Sequence, residues 1–292
     1  LVVGLGSGIS LGAVLQHPVE RVDLLELSPE VIEAARQFAE HNHRALDDPR
    51  VRVVVNDGRN FLLATGRRYD VITSQPTNPW ITGSGNLFTR QYYELCRARL
   101  APGGVVTQWL QIYNIGPEDV SAALRAFRAV FPHAMMFTTL SGLDLILIGS
   151  EAPFPLDAGL IEARLGRPSV RADLARVSLD RAGRILGSFL TDGAGIDALA
   201  GPGPAHADET PLLEFAAARA LQRDTTRKNF AWLAAIPRQD PLRRLYAEGR
   251  LALASGDPRH AAELWEEALA RDPGFLRLRW QVANAWWDAG RY

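Results

Sequence analysis

The sequence contains one cysteine, Cys96, among its 292 residues. A single thiol excludes an intramolecular disulfide and a cysteine-rich metal site. The six histidines show neither an H-E-x-x-H nor an H-x-x-E-H spacing, so a histidine-based zinc site is not indicated either. We therefore predict no metal centre. Cys96 falls on the apolar face of a helical pattern, and we interpret it as a core residue.

An excess of charge of one sign is also lacking, since 32 Lys and Arg stand against 33 Asp and Glu and the net charge is -1. Because there is no long basic run, we predict no nucleic-acid partner. No apolar stretch reaches the roughly 20 residues of a membrane helix, and there is no signal peptide. We predict a cytoplasmic location.

Both ends of the sequence fall inside predicted secondary structure. It opens at "LVVGLGSG", within a strand and without an initiator Met, and it ends at "WWDAGRY", within a helical pattern. We interpret the sequence as a fragment. The alternative to a soluble parent is a membrane-attached one, of which this chain is the cytoplasmic portion.

Apolar runs alternate with helical patterns over residues 1–150. The seven runs are "LVVGLG", "RVDLLEL", "VRVVV", "YDVITS", "GGVVTQWLQI", "AMMFTTL" and "DLILIGS". Continuous apolar runs are typical of strands whose two faces are both covered by helices. The alternation predicts an α/β fold with a doubly wound, seven-stranded, mainly parallel sheet. Only Ser141 and Gly142 separate the last two runs, which predicts a final antiparallel hairpin.

Residues 151–205 are less regular, although several stretches have a helical pattern, including "AGRILGSFL" at 182–190. Residues 211–219, "PLLEFAAAR", are predicted to return and pack on the main domain. We place this domain at 1–220.

From 241 to 292 the pattern changes to helical hairpins. Gly256 and Gly290 are 34 residues apart, and 34 is the period of the tetratricopeptide repeat. We predict an incomplete repeat of this type that contacts a protein partner. The alternative is an ordinary helical pair with a chance glycine spacing.

Glycines mark the turn between the first strand and the first helix, at Gly4, Gly6 and Gly8. The spacing is G-x-G-x-G, whereas the dinucleotide pattern calls for its third glycine at the position of Ile9. Glycines in such a turn let a ligand approach the backbone closely. We predict that the turn, including Ser7, binds a cofactor.

Acidic residues follow the next two strands. Glu26 ends the second strand, where a carboxylate can accept both hydroxyls of a ribose. Asp57, followed by Gly58, comes after the third strand, where a side-chain acceptor can take the amino group of adenine. The alternatives are a solvated strand-end charge for Glu26 and an Asx turn for Asp57.

Together these three elements resemble the cofactor site of the class I methyltransferase fold, which binds S-adenosylmethionine or a close relative. The stretch "YDVITSQPTNPW...LFTRQYYELCRARLAPGGVVTQW" resembles the spermidine synthase family more specifically. The residues that stand at its motif positions are Tyr69, Asp70, Pro79, Leu87, Phe88, Thr89, Pro102, Gly103, Gly104 and Gln108. With the added repeat segment, the chain resembles the soluble part of bacterial membrane-fused spermidine synthase-like proteins.

The resemblance implies acids at three positions that are neutral here. Aspartates would stand at Gln75, serving the attacking amine, and at Asn78, and an acid would stand at Ser7, near the cofactor's amine tail. An amine with a pKa of about 10 is protonated at neutral pH, and an amide cannot take its proton. The resemblance therefore implies the fold and the nucleoside pocket, but it supports the family's aminopropyl transfer poorly for this chain. Gln75, Asn78 and Gln108 are the candidate substrate contacts.

Three functions remain open from the sequence. The first is an aminopropyltransferase-like enzyme acting on a small-molecule amine with decarboxylated S-adenosylmethionine. The second is a small-molecule methyltransferase that uses S-adenosylmethionine. The third is a non-catalytic nucleoside-binding scaffold that acts through its helical repeat.

Overall fold

The computed structural model describes residues 1–79, 81, 83–139, 142–216, 220, 225–236, 245, 248–249, 252–253, 256–271, 273 and 276–290. Trp80, which ends the stretch "YDVITSQPTNPW", and Ser141 of the predicted hairpin connection lie outside these residues. So does the start of the predicted repeat, at 241–244.

All seven predicted strands are present, in a sheet of eight strands with the order β3-β2-β1-β4-β5-β7-β6-β8. The strands are β1 Val2–Val3, β2 Val22–Glu26, β3 Val51–Val55, β4 Tyr69–Ser74, β5 Leu100–Gln111, β6 His133–Thr138, β7 Asp144–Ser150 and β8 Phe189–Asp192. Neighbours from β3 to β5 are parallel, whereas β7 and β6 pair antiparallel. The predicted mainly parallel sheet and its final hairpin are confirmed.

The eighth strand comes from a stretch that the sequence pattern assigned to a helix. The helix ends at Gly187, and Phe189–Asp192 pairs antiparallel with β6. Phe189 packs edge-on against Phe137 of β6, with ring centroids 5.5 Å apart. Cross-strand aromatic pairs of this kind stabilise strands, so the free edge of β6 overrides the local helical pattern.

Side-chain caps mark the start of several helices. Those within the described residues are α1 Ile9–Leu15, α2 Pro29–Ala35, α3 Gly58–Ala64, α4 Arg90–Ala98, α5 Pro117–Arg128, α6 Ala158–Leu165, α7 Pro168–Ala175, α8 Ala182–Gly187, α9 Gly193–Ala200, α10 Thr225–Ala234, α11 Pro258–Arg271 and α12 Leu276–Asp288. Ser28 caps α2 through a hydrogen bond from the backbone N–H of Val31. Thr89 caps α4 in the same way. Each cap satisfies a backbone donor that a helix start leaves free.

Helices cover both faces of the parallel part of the sheet. Leu24 of β2 belongs to a smaller cluster with α1 and α2, and its neighbour Leu25 belongs to the larger cluster that includes α3, α4 and α5. This alternation is the period of two expected of a strand. Cys96 is buried in the larger cluster, as predicted, and burial raises the pKa of its thiol to about 12.

The C-terminal helices α11 and α12 have a hydrophobic core of their own, built around Trp265, which is 1% exposed, and Leu278. Gly256 and Gly290 both have left-handed backbone angles, with φ of 81° and 71°. A helical C-terminal segment is therefore present, and its identity as a tetratricopeptide repeat remains a prediction. Within the described residues, no helix is both long and apolar enough to span a bilayer.

Candidate functional site

The parallel strands β1 to β5 end at one edge of the sheet, and the residues predicted to bind a cofactor follow these ends. The turn after β1 has φ of 88° at Gly4, 53° at Gly6 and 77° at Gly8, a region that favours glycine. A Cβ on Gly4 would lie 2.5 Å from the carbonyl oxygen of Gln75, so the turn packs tightly against the end of β4. Gly6, by contrast, has no heavy atom within 4 Å of its Cβ position. The turn is thus braced at Gly4 and open at Gly6.

Glu26 connects two turns through its carboxylate. Oε2 accepts a hydrogen bond from the N–H of Leu5 at 2.9 Å. Oε1 accepts from the N–H of Leu27 at 2.8 Å and from that of Ser28 at 3.1 Å. Because a carboxylate has about four lone-pair sites, one site on Oε2 remains for a further donor. Glu26 therefore supports the glycine turn as well as facing it.

Asp57 is the N-cap of α3, and its Oδ1 accepts from the N–H of Asn60 at 2.8 Å. The Asx-type cap that the sequence left as an alternative is therefore present, and Oδ2 makes no hydrogen bond within the described part of the chain. Gly58 has a packing reason to be glycine, since a Cβ there would lie 2.6 Å from Cγ1 of Val3. Close packing of α3 on β1 keeps Asp57 beside the glycine turn.

The amides at the mouth of the site have neutral partners. Oε1 of Gln75 accepts from Oγ of Ser10 at 2.6 Å. Nδ2 of Asn78 donates to Oε1 of Gln111 at 2.7 Å. Gln111 is fully buried, and its Nε2 has no partner within the described residues.

Gln108 is also fully buried, and its Nε2 donates to the backbone oxygen of Trp109 at 2.9 Å. Its Oε1 has no hydrogen-bond partner among the residues that the structure describes. An unpartnered buried acceptor costs about 1–3 kcal/mol, so Gln108 holds an unused hydrogen-bonding capacity next to the site. It pairs in register with Ser74, whose Oγ accepts from the hydroxyl of Tyr92 at 3.0 Å.

Of residues 211–219, predicted to return and pack on the main domain, the structure describes 211–216, and Leu213 and Ala216 are buried in the larger cluster, whereas 217–219 lie outside the described residues. His206 precedes this segment. His206 is 1% exposed, its Nε2 donates to the backbone oxygen of Gly85 at 2.8 Å, and Nδ1 accepts from the N–H of Leu213 at 3.4 Å. Burial lowers the pKa of His206 and favours this neutral form. Two residues further on, Asp208 accepts from both terminal nitrogens of Arg59, which directly follows Gly58.

Three contributors were missed in the sequence: Gln111, Ser10 and Asn42. Gln111 stands three residues beyond Gln108 on the same strand, and a second amide at a strand end is a signal that was available. Ser10 donates to Gln75, and Asn42 donates to the backbone oxygen of Ser7. Neither gave a local signal, because these partners lie 65 and 35 residues away. No group of three or more potential metal ligands occurs among the described residues.

A doubly wound sheet, a glycine turn after its first strand and a carboxylate at the end of its second define the methyltransferase-like class of α/β domains. Sequence relatives narrow the class. The spermine/spermidine synthase domain matches residues 1–141. A polyamine aminopropyltransferase from Klebsiella pneumoniae is 30% identical over 201 residues, which cover 66% of this chain and 70% of that protein. The chain belongs to the spermidine synthase family.

Other relatives match over shorter stretches. A spermidine synthase from Dictyostelium discoideum is 40% identical over 39% of this chain, and the match spans 42% of that protein. A polyamine aminopropyltransferase from Pseudomonas aeruginosa is 39% identical over 37% of this chain, and the match spans 38% of that protein.

Among solved structures, a spermidine synthase in complex with the transition state analogue AdoDATO is 30% identical, with a TM-score of 0.47 over 54% of this chain and 57% of its own. A probable spermidine synthase from Corynebacterium glutamicum is 22% identical, with a TM-score of 0.49 over 71% of each chain.

Proposed function

We propose that the chain binds an adenosine-containing sulfonium, either S-adenosylmethionine or its decarboxylated form, at the turn after β1, and that it is a transferase. The observation that carries the proposal is the open face at Gly6, flanked by the carboxylate of Glu26 and by the end of β4 at Gln75. A nucleoside can approach the backbone there without displacing a side chain.

The residues around this turn fit such a ligand. The remaining lone-pair site on Oε2 of Glu26 can accept a hydrogen bond from a ribose hydroxyl. Oδ2 of Asp57 can accept one from the amino group of adenine while Oδ1 continues to cap α3. A bound sulfonium supplies an electrophilic carbon, whose bond to sulfur breaks as the bond to an acceptor forms.

The acceptor is proposed to be a small molecule at Gln75 and Asn78. Both side chains can orient it by hydrogen bonds, but neither can take a proton from an ammonium group. The names of the sequence relatives favour an amine acceptor and aminopropyl transfer. The amides make transfer to a diamine slow, because a general base contributes about 10²–10⁴-fold to such a step.

Methyl transfer from S-adenosylmethionine is the second candidate. The observation in its favour is Ser7, a neutral residue at the position where the family resemblance implies an acid. Without a negative charge in the turn, the carboxylate of S-adenosylmethionine is not repelled, so the intact cofactor is disfavoured less than the resemblance implies. A non-catalytic nucleoside-binding scaffold remains the third alternative.

Calorimetric titration tests the binding proposal. We expect saturable binding of methylthioadenosine and of at least one of the two sulfonium forms, because all three share the nucleoside that the turn is proposed to hold. Guanosine serves as the control, since its base has an oxygen at C6 in place of the amino group from which Asp57 is proposed to accept a hydrogen bond. The absence of binding by all three adenosine ligands up to about 1 mM, the upper end of usual KM values, would contradict the proposal.

The C-terminal helices are proposed to contact a protein partner and to leave the cofactor site unaffected. Deleting residues 241–292 is expected to change the Kd of methylthioadenosine by less than about threefold, because distant units contribute nearly additively. The separate core of α11 and α12 supports this expectation. A loss of binding, with an unchanged far-ultraviolet spectrum of the remaining domain, would show instead that these helices complete the site.

A further inference from the structure

Asn42 is buried beneath the glycine turn, although it lies in the loop that follows α2. Its side chain is inside the protein, with the residue 2% exposed. Nδ2 donates to the backbone oxygen of Ser7 and to that of Ala35, both at 3.0 Å. The two N–H groups of this amide are therefore both used, and they tie the middle of the glycine turn to the end of α2.

Gly8 of the turn and Gly12 of helix α1 both pack closely against Asn42. A Cβ on Gly8 would lie 2.9 Å from Nδ2 of Asn42. A Cβ on Gly12 would collide with the backbone oxygen of Asn42. Any side chain at these positions would push Asn42 away from Ser7. Packing therefore requires glycine at Gly8 and Gly12, whether or not a ligand approaches the turn.

Helix α7 holds this loop from the outside. His43 and Arg44 have φ of 55° and 52°, and the left-handed region is unfavourable for residues other than glycine. Oδ1 of Asp173, in α7, lies 2.6 Å from Nε2 of His43. Just after α7, both terminal nitrogens of Arg176 donate to the backbone oxygen of His41 at 3.1 Å. These contacts, at His41 and His43 on either side of Asn42, offset the free-energy cost of the left-handed backbone at His43 and Arg44.

We infer that Asn42 is a positioning residue for the nucleoside-binding turn, and that α7 keeps Asn42 in place. The inference rests on the proposed nucleoside site and deepens it. It gives a role to a helical segment whose sequence showed no link to the glycine turn. The side-chain amide of Asn42 holds the backbone carbonyl of Ser7. It thereby keeps Gly6 and Ser7 in the conformation that receives the nucleoside.

The test compares two buried asparagines with the same chemistry. Asn229 is fully buried, and its Nδ2 donates to the backbone oxygens of Ile112 and Ile115 at 2.7 and 2.6 Å, away from the glycine turn. Asn42→Leu is expected to raise the Kd of methylthioadenosine about tenfold or more, because two hydrogen bonds that order the turn are lost. Asn229→Leu, which loses the same two bonds elsewhere, is expected to stay within about threefold.

Amide hydrogen exchange gives a reading that does not depend on the ligand. In Asn42→Leu, exchange is expected to accelerate in the peptide covering residues 4–12 and to stay unchanged in the β6–β7 hairpin. A merely structural role for Asn42 would accelerate exchange throughout the domain. Equal Kd values for the Asn42 and Asn229 variants, with wild-type exchange at residues 4–12, would overturn the inference.

A surface variant keeps the inference testable if Asn42→Leu does not fold. Combining Asp173→Ala with Arg176→Ala removes the outer contacts and leaves the hydrophobic clusters of the domain intact, so the variant is expected to fold with a modestly lowered melting temperature. We expect a threefold or larger rise in Kd and faster exchange at residues 4–12. Wild-type values for both measurements would overturn the role of α7. If the wild-type protein does not bind methylthioadenosine, the proposed function fails, whereas the exchange experiment still decides whether Asn42 orders the turn.

Discussion

The combination of Gln75→Asp and Asn78→Asp is expected to raise spermidine formation from putrescine and decarboxylated S-adenosylmethionine by about 10²–10⁴-fold, the range contributed by a general base. The wild-type chain is expected to catalyse this transfer very slowly, if at all. The reason is charge: putrescine is a dication, its attacking amine must lose a proton, and Gln75 and Asn78 can neither accept that proton nor neutralise the second ammonium group.

The structure indicates that both positions can accept a carboxylate. Ser10 donates to Oε1 of Gln75, and its hydroxyl can also donate to a carboxylate, which in aspartate lies one methylene closer to the backbone. Gln111 now accepts from Asn78, but its unpartnered Nε2 can donate to a carboxylate after the amide rotates by 180°. The double variant is therefore expected to keep the stability of the wild type.

Product formation by mass spectrometry, on wild type and double variant side by side, measures the effect. Asn284→Asp, which makes the same chemical change at an exposed position of α12, is the control and should leave the rate unchanged. Wild-type turnover near the median enzyme rate of about 10 per second would contradict the prediction. Another group would then supply the base, and Asp144, which pairs with Gln111 across β5 and β7, is the first to test.

The second large effect is expected at Glu26. Glu26→Ala is expected to weaken the binding of methylthioadenosine by about 10- to 150-fold, which corresponds to about 1.5–3 kcal/mol for hydrogen bonds to a charged group. The same change leaves the N–H groups of Leu5, Leu27 and Ser28 without their acceptor. Part of the loss in affinity would thus come from a disordered turn rather than from a missing ribose contact.

A ligand without the ribose hydroxyls separates the two contributions. Wild type is expected to prefer methylthioadenosine to its 2′,3′-dideoxy analogue, and Glu26→Gln should largely remove that preference, because coupled partners give non-additive effects. Glu33→Gln, at an exposed carboxylate of α2, is the control. If the preference is the same in wild type and Glu26→Gln, Glu26 supports the turn and does not contact the ribose.

Local sequence patterns predicted much of the fold that surrounds the candidate site. The apolar runs predicted seven strands, and parallel order then placed Gly4, Glu26 and Asp57 at one edge of the sheet. Ser28 and Pro29, an N-cap residue followed by a first-turn proline, are a local signal for the start of α2. These features could be derived because strand periodicity, capping and turn chemistry depend on residues only a few positions apart.

The sequence by itself thus determined the parallel sheet, its closing hairpin, the glycine turn and the neutral amides at Gln75 and Asn78. Only the tertiary structure decided which groups those residues contact: Asn42 under the turn, Gln111 beside Asn78, and β8 on the edge of β6. Packing brings together Asn42 with Ser7 and Gln111 with Asn78, which are 35 and 33 residues apart in the sequence. Hydrogen bonds and edge pairings at such separations leave no periodic signal in the chain, because their geometry is set only once the helices have closed over both faces of the sheet.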